Sequence, residues 1–450
     1  MRGWAAAVVM LGVVAGCAGR PEVPVFTGEP FLVVWAGDAD RQNADFLAVL
    51  DADPTSPSYG KVVRTYPVRS RGNEPHDLNA VPRADRRIFA SGLLTDRTFV
   101  FDLRQPLAGR LLHVDEPPPD RRFRAPHQYV TLPDGHVIAT CSDPAGYRGD
   151  PRELLGAPGG LVDLDADGTF VREIAAADPA ARHLIIAPYG AALAPDGRHL
   201  VTTNAGHGYS ATTHGERMPG ISVQVWKLGE PGPGKTVVLD AGPRGEENLG
   251  PITARFFHRQ STVYVATDQG GAVYASDSVE ASTPAFRLVF DFGAGALGGD
   301  GAVTPDDHFW VEALAGLNRV ASLDVSDPWH PKFVSAVRLD RDPVDTGHAR
   351  RGGPHGLAMS ADGTRIAVSD YTIDVPGMTQ DGDHRIYMLR LDPASGRLRI
   401  DPAFQDELTG EVGVSFDRTR WPHGDTGPAR PTGMLFVTPE PPPPKGHREG

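Results

Sequence analysis

Six times along the chain a strand-like run leads into a polar turn, a second strand, a linker and two further strands. One copy runs from His127-Gln128-Tyr129-Val130 through the turn Pro133-Asp134-Gly135 to Val137-Ile138-Ala139-Thr140, Leu161-Val162-Asp163-Leu164 and Phe170-Val171. Another opens at His355-Gly356-Leu357-Ala358, turns at Ala361-Asp362-Gly363 and ends at Leu398-Arg399-Ile400. Four-stranded units at spacings of about 50–60 residues cannot each bury two faces alone, and they stack radially as the blades of a β-propeller. The first segment supplies only three strands, Phe31-Leu32-Val33-Val34, Phe46-Leu47-Ala48-Val49-Leu50 and Lys61-Val62-Val63-Arg64. Gly433-Met434-Leu435-Phe436-Val437, at the far end, can complete that sheet and hide its edge. The expectation is an all-β, seven-bladed propeller over residues 30–438, closed by pairing of its N- and C-terminal strands.

Pro-His occurs four times, at Pro75-His76, Pro126-His127, Pro354-His355 and Pro422-His423, each ahead of a strand-like run. In a propeller the first strand of a blade lines the channel, so equivalent positions gather around one axis. Imidazoles far apart in sequence then converge, and a transition metal of the copper or zinc type accepts them. With no thiolate or carboxylate in the repeated position, the set His76, His127, His355 and His423 leans toward copper. Such an imidazole can also do no more than hydrogen-bond the next blade. Tyr189, in Pro188-Tyr189-Gly190, occupies the histidine's place in its own repeat and either packs or walls the channel mouth. His207 and His348 fall in loops that could reach that mouth, whereas His136, His199, His258 and His308 fall at turns of the opposite one.

The N-terminus reads as an export signal. Arg2 precedes an apolar stretch from Trp4 to Val14, too short to span a bilayer, and then comes Val14-Ala15-Gly16-Cys17. That order resembles a bacterial lipobox, with residues 1–16 as signal peptide, Cys17 as the lipidated residue and 17–29 as a tether. The expected location is the cell envelope, held by a lipid anchor only. The Pro-rich tail 439–450 reads as unstructured. A net charge of −13 argues against nucleic acid as a partner, because phosphate binding needs a basic surface. If Cys17 is lipidated, Cys141 has no thiol partner, and its strand setting reads as a small buried hydrophobe. The Asp-rich turn from Asp163 to Gly168 lacks the acidic residue that closes a calcium loop. No phosphate loop, Gly-x-Ser-x-Gly elbow or His-Glu-x-x-His segment occurs.

Several segments together are similar to the selenium-binding protein family, which includes copper-dependent methanethiol oxidases. They are Glu74-Pro75-His76, Pro126-His127 with Leu132-Pro133-Asp134-Gly135, Arg255-Phe256-Phe257-His258, Leu323-Asp324-Val325-Ser326-Asp327-Pro328, Gly352-Gly353-Pro354 with Asp362-Gly363, Asp401-Pro402-Ala403-Phe404 and Pro422-His423. The resemblance implies a seven-bladed propeller and copper ligands at His76, His127 and His423. The family's first motif carries two adjacent histidines, but Asp77 follows His76 here, and His355 can replace the missing ligand. The family's cysteine-containing segment after that motif is absent, so selenium binding through cysteine finds no support.

Two functions follow as expectations. The first is copper-dependent oxidation of a small thiol or related sulfur compound, with Asp77 and Asp425 orienting the imidazoles as carboxylate partners. The catalytic residues themselves are not legible. The second is a surface-displayed propeller that binds a protein or small-molecule partner without chemistry, motivated by the lack of an established base or nucleophile. A lactonase-like hydrolase is a third possibility, although it normally wants carboxylates where this repeat offers histidine.

Overall fold

In the computed structural model, residues 28–79, 83–147, 150–155, 159–206, 218–230, 232–339, 353–375, 378–380 and 382–441 are described. The expected signal peptide, Cys17, His207, His348 and most of the tail lie outside them.

Burial along the strands explains why they form stacked blades rather than a one-sided sheet. The middle strands Phe46–Asp51 and Phe309–Leu314 are buried at every position, while outer strands such as Arg110–Asp115 and Arg287–Asp291 are mostly exposed or half-buried. A strand with no polar face needs a neighbour on both sides, and β-branched and aromatic residues suit that setting. Among the described residues seven sheets form the blades, and a separate two-stranded hairpin accompanies blade 7. Blade 1 is built from Phe31–Asp38, Phe46–Asp51, Val62–Pro67 and, innermost, Ala429–Val437. Blades 2 to 7 begin with their innermost strands Pro75–Leu78, Phe123–Thr131, Pro188–Leu193, Pro251–Phe256, Gly298–Val303 and Pro354–Met359. Each innermost strand contacts the next around a complete ring, Ala429–Val437 lying between Pro354–Met359 and Pro75–Leu78.

Seven apolar clusters fill the seven gaps between blades, one per gap, so the core is a closed ring of wedges. Val33, Trp35, Ile88 and Phe99 join blades 1 and 2; Phe89, Val100, Tyr129 and Val162 join blades 2 and 3. Blades 7 and 1 meet through Ala367, Met388, Leu32, Phe46 and Phe436. Closure is antiparallel, with Phe31 opposite Val437 and Leu32 opposite Phe436. Arg365, buried in blade 7 over the Phe436 ring, binds Glu29 and the Ala52 carbonyl. Glu29, expected in the tether, is therefore fastened to the body. Glu440, expected in the tail, likewise donates its N–H to the Arg104 carbonyl.

One irregularity repeats in all seven blades. Near the start of each innermost strand the register slips by one residue, as between Pro75 and Leu78, Pro126 and Tyr129, Pro188 and Ala191, Pro354 and Leu357, and Met434 and Pro431. Blades 5 and 6 slip after Pro251 and Gly298. A bulge of this kind bends the strand and re-aims a side chain. Here it follows a proline in every blade but the sixth, where an N–H absent from the ladder does no harm.

Candidate metal centre

The residue after each of those prolines, or after Gly298 in blade 6, forms one layer: Thr432, His76, His127, Tyr189, Ile252, Gly299 and His355, taken blade by blade. Four of its side chains meet. The His76 and His127 rings lie 4.8 Å apart, centroid to centroid, nearly perpendicular. His76 and His355 are 5.3 Å apart, and His127 lies 3.7 Å from the Tyr189 ring at a 34° tilt. The Tyr189 hydroxyl is 2.7 Å from His76 Nε2. His76, His127 and Tyr189 are buried and His355 is partly so. Burial lowers the pKa of His355, with Asp300 opposing the shift, so its neutral, metal-competent form is favoured.

Hydroxyls on the second strands hold the bulges in place. Ser91, Thr140, Thr203 and Ser369 accept the N–H of Asp77, Gln128, Gly190 and Gly356 respectively, the second residue after each proline. Thr140 also donates to the Tyr189 carbonyl at 2.5 Å, and Thr203 to the Ile252 carbonyl at 3.0 Å, so the same hydroxyl ties one blade to the next. The blades approach so closely that a Cβ at Gly190 would lie 1.9 Å from the Ile252 carbonyl oxygen. Glu74 and Ala125, immediately before the prolines of blades 2 and 3, adopt φ values of 49° and 54°, a left-handed conformation that costs a non-glycine residue about 1–2 kcal/mol. Their anchors are explicit: Glu74 accepts from Tyr371 and Arg41, and the Ala125 N–H donates to Asp96.

A polar layer adjoins the imidazoles. Asp77 Oδ2 is 4.0 Å from His127 Nδ1. Burial pushes the Asp77 carboxyl well up, the nearby Asp300 pushes it further, and Arg255 opposes both. Arg255 lies 3.5 Å from Asp300, which also accepts from Thr253. Ile373, on a short hairpin of blade 7 (Ile373–Val375 with Met378–Gln380), packs on Leu93 and Ala125 of blades 2 and 3.

His423 does not join this group, contrary to the expectation. Its Nδ1 bonds Thr65 Oγ1 at 2.8 Å on the outermost strand of blade 1, and its ring rests 5.0 Å from Phe46. Asp425, 3.3 Å from His423 Nε2, goes with it and orients no ring of the cluster. The reason is register. Pro422 starts no channel strand; Pro431 does, and the residue after it is Thr432. Sequence reasoning also passed over Asp300, Arg255 and the four clamping hydroxyls. Aligning the repeats on their prolines, rather than on Pro-His, would have found Thr432, but not Asp300, whose blade starts at Gly298 without a proline. Cys141 is buried, and burial pushes its thiol far up, which agrees with a packing role.

The donor set suits a metal that prefers nitrogen and oxygen ligands: three imidazoles with a phenol beside them. The rings touch, but no three of their nitrogens come within 4.8 Å of one another. Sharing one ion therefore requires turning at least one ring about χ2, a broad torsion. The one tighter grouping among the described residues, Asp196, His199 and Glu280, is largely exposed and carries no argument.

The profile of the 56 kDa selenium binding protein family (SBP56) matches residues 29–429. This chain belongs to that family. Among family relatives, a methanethiol oxidase from Xenopus tropicalis is 23% identical over 442 residues, covering 85% of this chain and 90% of the relative. Selenium-binding protein 1 from Arabidopsis thaliana is 24% identical over 85% of this chain and 87% of its own length. A methanethiol oxidase from Hyphomicrobium sp. reaches 33% over 127 residues, 27% of this chain and 28% of that one. In structure the chain is similar to a hypothetical selenium-binding protein from Sulfolobus tokodaii, with a TM-score of 0.69 at 19% identity, over 92% of this chain and 94% of that one. It is also similar to a periplasmic gluconolactonase from Pseudomonas aeruginosa, with a TM-score of 0.59 at 14% identity, over 91% and 99%. At such identities these two likenesses speak for the seven-bladed fold alone.

Proposed function

We propose that this family member oxidises a small thiol or related sulfur compound at copper held by His76, His127 and His355. The observation that carries the reading is the meeting of three imidazoles from blades 2, 3 and 7, each delivered by the same bulge. Relatives named methanethiol oxidase support the sulfur chemistry. His355 takes the place of the family's second adjacent histidine, as the sequence suggested, while the ligand expected at His423 is missing because blade 1 offers Thr432 at the layer. In the overall reaction a primary thiol, oxygen and water give an aldehyde, hydrogen sulfide and hydrogen peroxide, which balances in atoms and electrons. Copper, when bound, supplies the one-electron redox chemistry and a Lewis-acidic position for the sulfur.

The chain's own residues do the rest. His76, His127 and His355 hold the ion. Asp77, 4.0 Å from His127 Nδ1, stands beside that imidazole as a carboxylate partner. The lipid anchor at Cys17 belongs to the same proposal. The body begins at Phe31, which pairs with Val437 at the end of blade 1's innermost strand, opposite the end where the histidines sit.

The non-catalytic binding module remains the competing reading, favoured by the failure of the ring nitrogens to converge. Thiol-dependent oxygen uptake with formation of sulfide and peroxide separates the two. A copper-loaded protein that consumes no oxygen with short alkyl thiols would reject the oxidase.

A further inference from the structure

Blade 4 departs from blades 2, 3 and 7 in one respect. At the layer position it carries a phenol, and that phenol is the most constrained ring of the group. One face of Tyr189 lies on the His127 imidazole at 3.7 Å. Elsewhere it packs with Ala205 and Ile252. Its carbonyl is held by Thr140, and the next N–H, of Gly190, by Thr203. Only 6% of the residue is exposed. Its hydroxyl meets His76 Nε2 at 2.7 Å.

We infer that Tyr189 is a positioning residue for His76: its hydroxyl oxygen accepts a hydrogen bond from His76 Nε2–H, fixing that ring's orientation and tautomer. The inference rests on the proposed metal reading only for its consequence, because the hydrogen bond is a property of the protein without metal. Committing Nε2 to the tyrosine means that His76 can offer an ion only Nδ1. Metal-binding histidines generally donate their other N–H to an oxygen that sets their orientation, and losing that partner weakens metal binding about 10–100-fold. In most proteins the partner is a carboxylate or a carbonyl. A phenol does the same work here without adding negative charge beside Asp77. The stack on His127 gives Tyr189 a hold on a second imidazole as well, so one side chain orders two of the three.

The test uses the full chain without its signal peptide, stripped of metal and labelled with ¹⁵N-histidine. The His76 signal is identified by its loss in His76→Gln. Nitrogen shifts should report the Nε2–H tautomer for His76 in the wild type and a mixture of tautomers in Tyr189→Phe, with the remaining histidines unchanged. Tyr189→Phe keeps the ring and its stack, so folding is preserved. A copper(II) titration followed by electron paramagnetic resonance should then show binding at least about 10-fold weaker in Tyr189→Phe, with altered hyperfine splitting. An Nδ1–H tautomer in the wild type, or the same tautomer and the same copper spectrum in both proteins, overturns the inference. The expected tautomer difference between the two proteins, with no copper taken up by the wild type, overturns the metal reading and leaves the positioning role standing.

Discussion

His76 Nε2 and the Tyr189 hydroxyl lie 2.7 Å apart although 113 residues separate them in sequence, and they join blade 2 to blade 4 past the imidazole of blade 3. The contact exists because the same one-residue slip follows a proline in both strands. Repetition of a local irregularity therefore assembles the candidate centre, rather than a single motif.

That dependence makes the bulge clamps testable. Thr140→Val keeps the shape of the side chain but leaves the Gln128 N–H and the Tyr189 carbonyl without their hydroxyl partner. Each stranded buried polar group costs about 1–3 kcal/mol, so with two of them the variant should lose roughly 2–6 kcal/mol of stability and bind copper more weakly through the displaced tyrosine. Urea unfolding and copper titration measure the two effects; an unchanged midpoint would contradict the clamp.

Arg365 should matter to stability more than any surface cation. It is buried, faces Glu29 at 3.0 Å and bonds two carbonyls across the closure of the ring. Arg365→Ala strands the Glu29 carboxylate and those carbonyls, and removal of one partner of a buried pair costs about 3–5 kcal/mol. Glu29→Gln, which keeps a hydrogen-bonding group, should cost less. Equal losses in the two variants would point away from this geometry.

Glu312 predicts the pH dependence of stability. It is wholly buried on the second strand of blade 6, accepts the Trp310 indole N–H, and burial raises its pKa to about 8. The folded state therefore binds the proton more tightly than the unfolded chain. This contribution is complete below the unfolded carboxyl value and fades as pH rises toward and through 8. Glu312→Gln keeps the bond to Trp310 and removes the titration. It should match the wild type near pH 4 and exceed it near pH 8 by an amount on the order of a few kcal/mol. Parallel stability profiles for the two proteins across that interval would refute the assignment.

Much of the fold was open to reading because each blade repeats the same pattern. The strands, the turns at Pro133-Asp134-Gly135 and Ala361-Asp362-Gly363, and the pairing of Phe31–Asp38 with Ala429–Val437 all announce themselves in hydrophobic runs and turn residues. His76, His127 and His355 were visible for the same reason. His423 misled because Pro-His marks a strand start only when the following run reaches the channel. The run after Pro422 is a turn, with the Trp421 N–H bonding the Asp425 carbonyl and the Gly424 N–H the Trp421 carbonyl. Asp300 and Arg255 were invisible because no local signal tells which blade faces which across an axis. The hairpin that brings Ile373 over Leu93 and Ala125 was hidden too, since a three-residue strand has no period to detect.

Copper content bears most directly on the central claim. Protein produced without added metal and purified without chelator should carry copper, lose most of it in His76→Ala, His127→Ala and His355→Ala, and keep it in His423→Ala. A metal-free wild type that unfolds normally, or a triple His76, His127 and His355 variant that stays fully loaded, would contradict the account.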